Sequence, residues 1–312
     1  MRASWYLPRG EAMTTPGRFF CADAARARGD ALAGTAPYGS IWVLVEHHGS
    51  WPANGFDGLD LEPVTKARVY AAAAALRARI LLIRRHGRRR TDTPPRWAVL
   101  RGERDGAHRQ HWGTWTRDED LIQIADALDA PGETGHPPVL LVCAHGVHDA
   151  CCAVRGRPVG RALSERWPEL VWECTHVGGD RFAANVLVAP DGVYYGNLDA
   201  DAALTTVEAH LADRIHPAHL RGYTDLTPAQ QAAVSAVLHR AGPAGRHAYA
   251  VEKTVRDREH DRWSVRVAGL APGLSTYEVE VRSHRSPPLR LTCNGHARST
   301  ALTYEVTAVR PA

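Results

Sequence analysis

The sequence predicts an α/β protein: two α/β units in tandem, followed by a small antiparallel β appendage. Three features carry that prediction. Continuous apolar runs, IWVLVEH (Ile41 to His47), ILLIRR (from Ile80) and PVLLVC (ending at Cys143), read as strands buried on both faces. Stretches with helical spacing lie between them, so strands and helices alternate along the chain. From Ala248 onward the residues alternate polar and apolar instead, the mark of a sheet with one wet face.

Residues 1–18 mix Pro, Gly and polar residues without periodicity and are expected to form a surface leader. Phe19 to Ala33 has helical spacing up to a break at Gly29-Asp30 and carries Cys21. GTAPYGS is a turn, the strand from Ile41 follows, and HGSWPANG is a loop. Leu61 to Ala78 is rich in strong helix formers, with Asp60 as the expected N-cap. ILLIRR, RWAVLRG and QHWGTWT then read as strands, the last two on either side of a charged turn. Strand, helix, strand, strand is an order compatible with a small thioredoxin-like unit, assigned to residues 19–115.

A second such unit is assigned to residues 116–225. DEDLIQIADALDA opens it, with apolar residues at helical spacing behind acidic ones that the helix dipole favours. After the strand 139–143 comes AHGVHDACC, too polar for core and too rich in soft ligands for an ordinary loop, and it is read as a ligand loop. A helix is expected from Arg157 to Trp167, beginning at or near Pro158. LVWEC is a strand, THVGGD a turn, and FAANVLVAP and VYYGNL a strand pair joined through the hairpin signal Asp191-Gly192. Leu204 to Ala212 is a further helix and PAHLRGYTDL a loop. The remaining segment, 226–312, starts with a helix capped by Thr227, with Pro228 at its first position and Ala241-Gly242 at its end. Five β segments follow: AYAVEKTVR, RWSVRVAG, YEVEVRS, LRLTC and ALTYEVTAV. Cys293, at the end of LRLTC, is expected to be a half-buried structural cysteine.

A chain of 312 residues can bury a full core, and a net charge of +4 is small for that length. Lysine occurs only at 66 and 253, so the positive charge is almost all arginine. The basic run Arg84 to Arg90, RRHGRRR, lacks interleaved aromatics and reads as a solvated turn; no nucleic-acid partner is expected. The first residues lack the apolar core of a secretory signal and no 18-residue apolar stretch exists, so no membrane span and a cytoplasmic location are expected. Six cysteines, four of them between 143 and 174, make a poor disulfide framework. In a reducing compartment such clusters bind metals or carry redox chemistry.

Cys143 and Cys152 enclose His145, His148 and Cys151, while Cys174, His176 and Asp180 follow on a second strand end, the last two flanking Val177-Gly178-Gly179. Two neighbouring strand ends with such ligands can converge on one metal centre. Residue type leaves zinc and iron–sulfur both open, and the absence of a CxxC knuckle argues against a zinc finger. Cys151, next to Cys152, cannot readily face the same way and is read as structural, as is Cys21. His145 and His148 are loop histidines, either solvated or gating protons. Arg155, Arg157 and Arg181 are read as surface or helix-dipole partners.

GTAP at 34–37 with WVLVEHHGSW, then CAHGVHDACCAVRGRPV, then HVGGDRFAANVLVAPDGVYYG together resemble the sucrase/ferredoxin-like family, related to thioredoxin-like ferredoxins. The resemblance runs from about Cys21 to Tyr195. It implies a [2Fe-2S] cluster in the second unit, with two cysteines on one iron and two histidines spaced HxxxH on the other. Carried onto this chain, the cysteines fall on Cys143 and Cys152 and the first histidine on His176. Asp180 stands where the second histidine belongs; a carboxylate is a harder ligand, so Cys174 is the alternative fourth ligand and loss of the cluster a third outcome. Gly178 and Gly179 would let the backbone pass close to the inorganic sulfurs, with His145 and His148 around the ligands. Imidazole on one iron raises the potential relative to an all-cysteine cluster. The implied function is soluble one-electron transfer between a reductase and an acceptor protein. The alternatives are a thiol-dependent oxidoreductase using the Cys151/Cys152 pair, and a cluster-free or zinc structural protein. No spaced carboxylate pair suggests a glycosidase.

Overall fold

The apolar runs do form strands with both faces covered, and they build one sheet. In the computed structural model, which describes residues 18–87, 93–103 and 108–312, strands β1 (Ile41–Glu46), β2 (Arg79–Arg84), β3 (Arg96–Gly102) and β4 (His108–Thr114) pair in the order β4-β3-β1-β2. Helix α1 (Cys21–Arg28) precedes them, α2 (Pro63–Ala75) joins the parallel pair β1 and β2, and α3 (Gln123–Asp129) follows β4. The next segments repeat this plan. Strands β5 (Val139–Cys143), β6 (Val171–Cys174), β7 (Val186–Ala189) and β8 (Val193–Tyr195) pair as β6-β5-β7-β8. Helix α4 (Ala150–Arg166) joins the parallel pair β5 and β6, and α5 (Ala200–Leu211) follows β8.

Two α/β units of one plan thus stand in tandem, and they share backbone hydrogen bonds; α3, which the sequence reading made the opening of the second unit, packs instead on the strands and α2 of the first. Ile83 pairs with Cys174 and Arg84 with Glu173, antiparallel across β2 and β6. With β9 (Leu220–Tyr223) on the outer edge of β8, a nine-stranded sheet runs through both units among the described residues. Helix α6 (Pro228–Ala241) then leads to a four-stranded antiparallel sheet of β10 (Tyr249–Asp257), β11 (Arg262–Gly269), β12 (Tyr277–Arg285) and β13 (Leu302–Pro311). Residues 1–17 of the expected leader and Arg88 to Arg90 of the basic run lie outside the described residues.

Several local expectations change. Glu62, not Asp60, caps α2, because its carboxylate accepts the Val64 and Thr65 N–H groups that the first turn leaves unpaired. Helix α4 starts at Ala150, seven residues before the expected Arg157, with Asp149 as its cap and Pro158 in its interior. The segment PAHLRGYTDL holds β9, a strand that no apolar run announces. LRLTC is no strand: Pro287-Pro288 before it and Asn294-Gly295 after it break any ladder, leaving the single bridge between Leu289 and Ser299.

Three packing layers follow from this topology. Alternate residues of β1–β3 face α2 and α3, where Val43, Val45, Trp97 and Val99 meet Val69, Leu121 and Ile124. Alternate residues of β5–β8 face the helices of the second unit, and that core continues through α6 into Val265, Val267, Val279 and Val281 of the small sheet. The helix-free faces of both units meet in a third cluster that joins Trp42, Leu44 and Leu100 to Leu141, Cys143, Trp172 and Leu187. The Asp191-Gly192 turn forms as expected, with Gly192 at φ 69°, and it is tied to α5 by the Asp191 carboxylate, 2.8 Å from His210 Nε2.

Leu141→Ala, at a fully buried position, is expected to lower the unfolding free energy by about 2–5 kcal/mol in denaturant titration, whereas Leu270→Ala, 61% exposed, changes it by less than about 0.5 kcal/mol. Burial opposes ionisation of Asp191, but the hydrogen bond from His210 and the charges of His210, His108 and Arg246 outweigh it and hold the pKa below the ordinary carboxylate range. A depressed acid stabilises the fold fully above its unfolded pKa, and the contribution is lost as pH falls through the folded value. Asp191→Asn is therefore expected to flatten the acid limb of the stability–pH profile; an unchanged limb contradicts this.

Candidate metal centre

β5 is apolar throughout and ends at Cys143, leaving its sulfur at the carboxyl end of a central strand, where sites in such sheets gather. The chain turns back through Ala144 to Asp149, whose carboxylate accepts the Cys151 N–H at 2.8 Å and starts α4. That helix comes to rest directly on the end of β5. A Cβ at Gly156 would collide with the Cys143 carbonyl oxygen, so only glycine permits the approach. Gly156 lies one turn after Cys152, on the same helix face, and the contact therefore carries Cys152 to Cys143. The expected ligand loop is thus six residues long, 144–149, and both neighbouring cysteines belong to the first helical turn.

The second strand end supplies the rest. β6 stops at Cys174, and His176 lies beyond it, followed by Gly178 and Gly179 at φ 98° and 81°. Arg221, from β9 and only 1% exposed, reaches back to hold this turn. Its guanidinium donates to the carbonyls of Gly178 (2.8 Å) and Thr35 (2.6 Å), to Asn185 Oδ1 (2.9 Å) and to Thr35 Oγ1 (3.1 Å). A side chain at Gly179 would run into that guanidinium. Burial lowers the Arg221 pKa to about 10, which still leaves it charged.

Four of the expected ligands meet. Cys143 Sγ, Cys152 Sγ and a His176 ring nitrogen lie within 4.8 Å of one another. Asp180 Oδ1 is 3.2 Å from Cys152 Sγ and 3.0 Å from His176 Nδ1, itself 3.8 Å from Cys152 Sγ. His148 stacks on His176 at 3.9 Å between ring centroids and joins His176 and Asp180 in a second ligand group. His145 is buried, not solvated: its Nδ1 accepts the His176 N–H at 3.3 Å and the edge of Trp51 packs against its ring. Cys174 belongs to neither ligand group; its sulfur lies in the core shared by the two units, where burial pushes the thiol pKa well above its ordinary value.

The electrostatics are polarised. The hydrogen bond from the Cys152 thiol, against the opposing effect of burial and with the help of His176, holds the Cys143 thiol well below its ordinary pKa. The Cys152 thiol is pushed up, first by that same hydrogen bond and then by burial. Burial disfavours a charged His176, yet hydrogen bonds to Asp180 and Cys143 prevail and raise its pKa to about 9. Burial likewise opposes ionisation of Asp180, and the His176 imidazole overcomes it and holds the carboxyl below the usual range. A thiolate, a carboxylate and an imidazole that gives up its proton on coordination form a donor set for a thiophilic metal. The thiols are sealed in, whereas His176 is partly open and His148 exposed, beside a pocket of about 300 Å³ that both line with His145, Phe56 and Tyr70.

A third group, Cys21, Asp149, Cys151 and Cys293, lies on the other side of the same helical turn. Cys293 is 6% exposed rather than half-buried. Sequence reasoning missed Asp149, Gly156 and Arg221. Asp149 had a local signal, a capping residue before a run of helix formers; the other two act through contacts remote in the chain.

No described helix is long and apolar enough to cross a membrane. No curated protein and no solved structure matches the chain. The family model described as sucrase/ferredoxin-like matches residues 32–222, a span that holds β1 to β8, most of β9 and all of Cys143, Cys152, His176 and Asp180. The chain therefore belongs to the sucrase/ferredoxin-like family.

Proposed function

We propose that this protein is a one-electron carrier that holds a [2Fe-2S] cluster on Cys143, Cys152, His176 and Asp180. The observation that carries the reading is the donor set: two sealed thiols at the end of β5 and the start of α4, a buried carboxylate beside them, and a half-buried imidazole that opens toward the surface. Two thiol sulfurs within 4.8 Å fit one iron, and His176 with Asp180, 3.0 Å apart, fit the other. When bound, the cluster supplies reversible one-electron exchange. The buried cysteines exclude water from the sulfur side. Gly178 and Gly179 hold a backbone turn beside the ligands that Arg221 clamps from behind, so His176 and Asp180 keep their spacing without rearrangement. His145 fixes the His176 backbone, and His148 covers its ring on the side of the pocket, where a reductase or an acceptor protein can approach.

A thiol oxidoreductase fits less well. Cys151 and Cys152 are both fully buried and lie in different clusters, so the pair presents no accessible nucleophile.

Protein purified anaerobically is expected to show broad visible bands that bleach with dithionite. Cys143→Ser and Cys152→Ser remove the colour, Cys174→Ser keeps it, and Asp180→His keeps it with a longer lifetime in air. Colour that survives Cys143→Ser or Cys152→Ser contradicts the ligand set, and colour lost with Cys174→Ser as well but kept with Asp180→Ala replaces Asp180 by Cys174. Purified protein with no iron that cannot be reconstituted with iron and sulfide overturns the reading as a whole.

A further inference from the structure

Cys21 comes from the first turn of α1, Cys151 from the first turn of α4 and Cys293 from the loop between β12 and β13, yet they meet in one buried group with Asp149. Cys151 Sγ lies 3.4 Å from Cys293 Sγ, which lies 3.6 Å from Cys21 Sγ. These separations far exceed the about 2.05 Å of a disulfide. They approach the edge of a tetrahedron of thiolates on one zinc ion, about 3.8 Å for Zn–S bonds of about 2.3 Å. Three cysteine sulfurs and a carboxylate in one knot exceed the two protein ligands that each iron of a [2Fe-2S] cluster takes, so the group suits a single four-coordinate ion. Both Asp149 oxygens stand 3.7 Å from Cys21 Sγ, and the four ligand atoms all lie within 4.8 Å of one another.

Two of the sulfurs accept backbone N–H groups, as metal-bound thiolates do. The Ala22 N–H points at Cys151 Sγ (3.4 Å) and the Cys21 N–H at Cys293 Sγ (3.5 Å). Asp149 is fixed by the N–H groups of Cys151 (2.8 Å) and Cys293 (2.7 Å), which leave acceptor capacity on a carboxylate with about four lone-pair sites. Cys21 and Cys151 are fully buried, Asp149 is 1% exposed and Cys293 6%, behind a wall that includes Phe19, Phe20 and Ala183. Four protein donors with no open position is the arrangement of structural zinc, since a catalytic ion keeps one position for water or substrate.

We propose that Cys21, Cys151, Cys293 and Asp149 form a mononuclear structural zinc site, separate from the Cys143 centre. The ion ties α1 and the loop after β12 to the first turn of α4. Cys21 and Cys293 both lie outside the stretch 32–222 that the family model matches, so the site fastens flanking segments onto that core. It also steadies the helical turn that presents Cys152 to Cys143.

Full-length protein purified without chelator is expected to hold one zinc per chain by elemental analysis. Cys293→Ser, a change in a loop, is expected to cut the zinc about tenfold or more while leaving iron content as it was. Cys143→Ser leaves the zinc in place. Cobalt(II) reconstitution of Cys143→Ser protein leaves this site's ligands untouched, and it should give tetrahedral visible bands with charge transfer of three-thiolate intensity, more than Cys152 alone can supply. Wild-type protein without zinc, Cys143→Ser protein that takes up no cobalt, or zinc that survives Cys293→Ser and leaves with Cys143→Ser overturns the assignment. Iron content reports on the other centre, so failure of either assignment is distinguishable from failure of both.

Discussion

The contact on which this molecule turns is the seat of α4 on the last residue of β5. Gly156 has no Cβ, so the helix backbone can lie against the Cys143 carbonyl, and Asp149 starts the helix early enough to put two cysteines in its first turn. Successive residues on a helix point about 100° apart. Cys152 therefore turns toward Cys143 and His176 while Cys151 turns toward Cys21 and Cys293. A side chain at position 156 would push the helix off the strand and separate both sets of ligands at once.

The first unit is more than a repeat placed beside the second. Its loop after β1 brings Trp51 against His145 and the Ala53 carbonyl within 3.4 Å of His148 Nδ1. Thr35, just ahead of β1, takes two hydrogen bonds from the Arg221 that clamps the glycine turn. Cys143 and Cys152 sit in the core formed by the helix-free faces of both units. The joint between β2 and β6 is thus also what surrounds the sulfurs with apolar groups. A metal centre so placed has one dry side and one side open to a partner, the asymmetry an electron carrier needs.

Local pattern was enough for most elements, and the family resemblance for the four residues gathered at the candidate centre. The buried strands are continuous apolar runs bounded by Pro, Gly or polar residues, and β5 ends at Cys143 where its run ends. Cys152, His176 and Asp180 were placed from spacing and resemblance, and the structure brings them together with Cys143. The start of α4 was misplaced because Pro158 looked like a helix opening, although Asp149 was the better cap; Gly156 and Gly160 on either side of the proline further weakened the helical pattern. β9 escaped notice because LRGY is short and its burial comes from neighbours, not from its own composition. Two features had no local signal at all. Arg221 acts on Thr35 across 186 positions, and Cys21 meets Cys293 across 272, so each looks isolated until the chain is folded.

The central claim is that Cys143 and Cys152 grip one iron while His176 and Asp180 grip its neighbour. Mössbauer spectroscopy of protein reconstituted with iron-57 tests it most directly, because the two irons then have unlike ligands. The account predicts two ferric doublets of equal area, one with the parameters of all-sulfur coordination and one shifted toward nitrogen and oxygen coordination. A single doublet from equivalent irons, or no protein-bound iron, would contradict it.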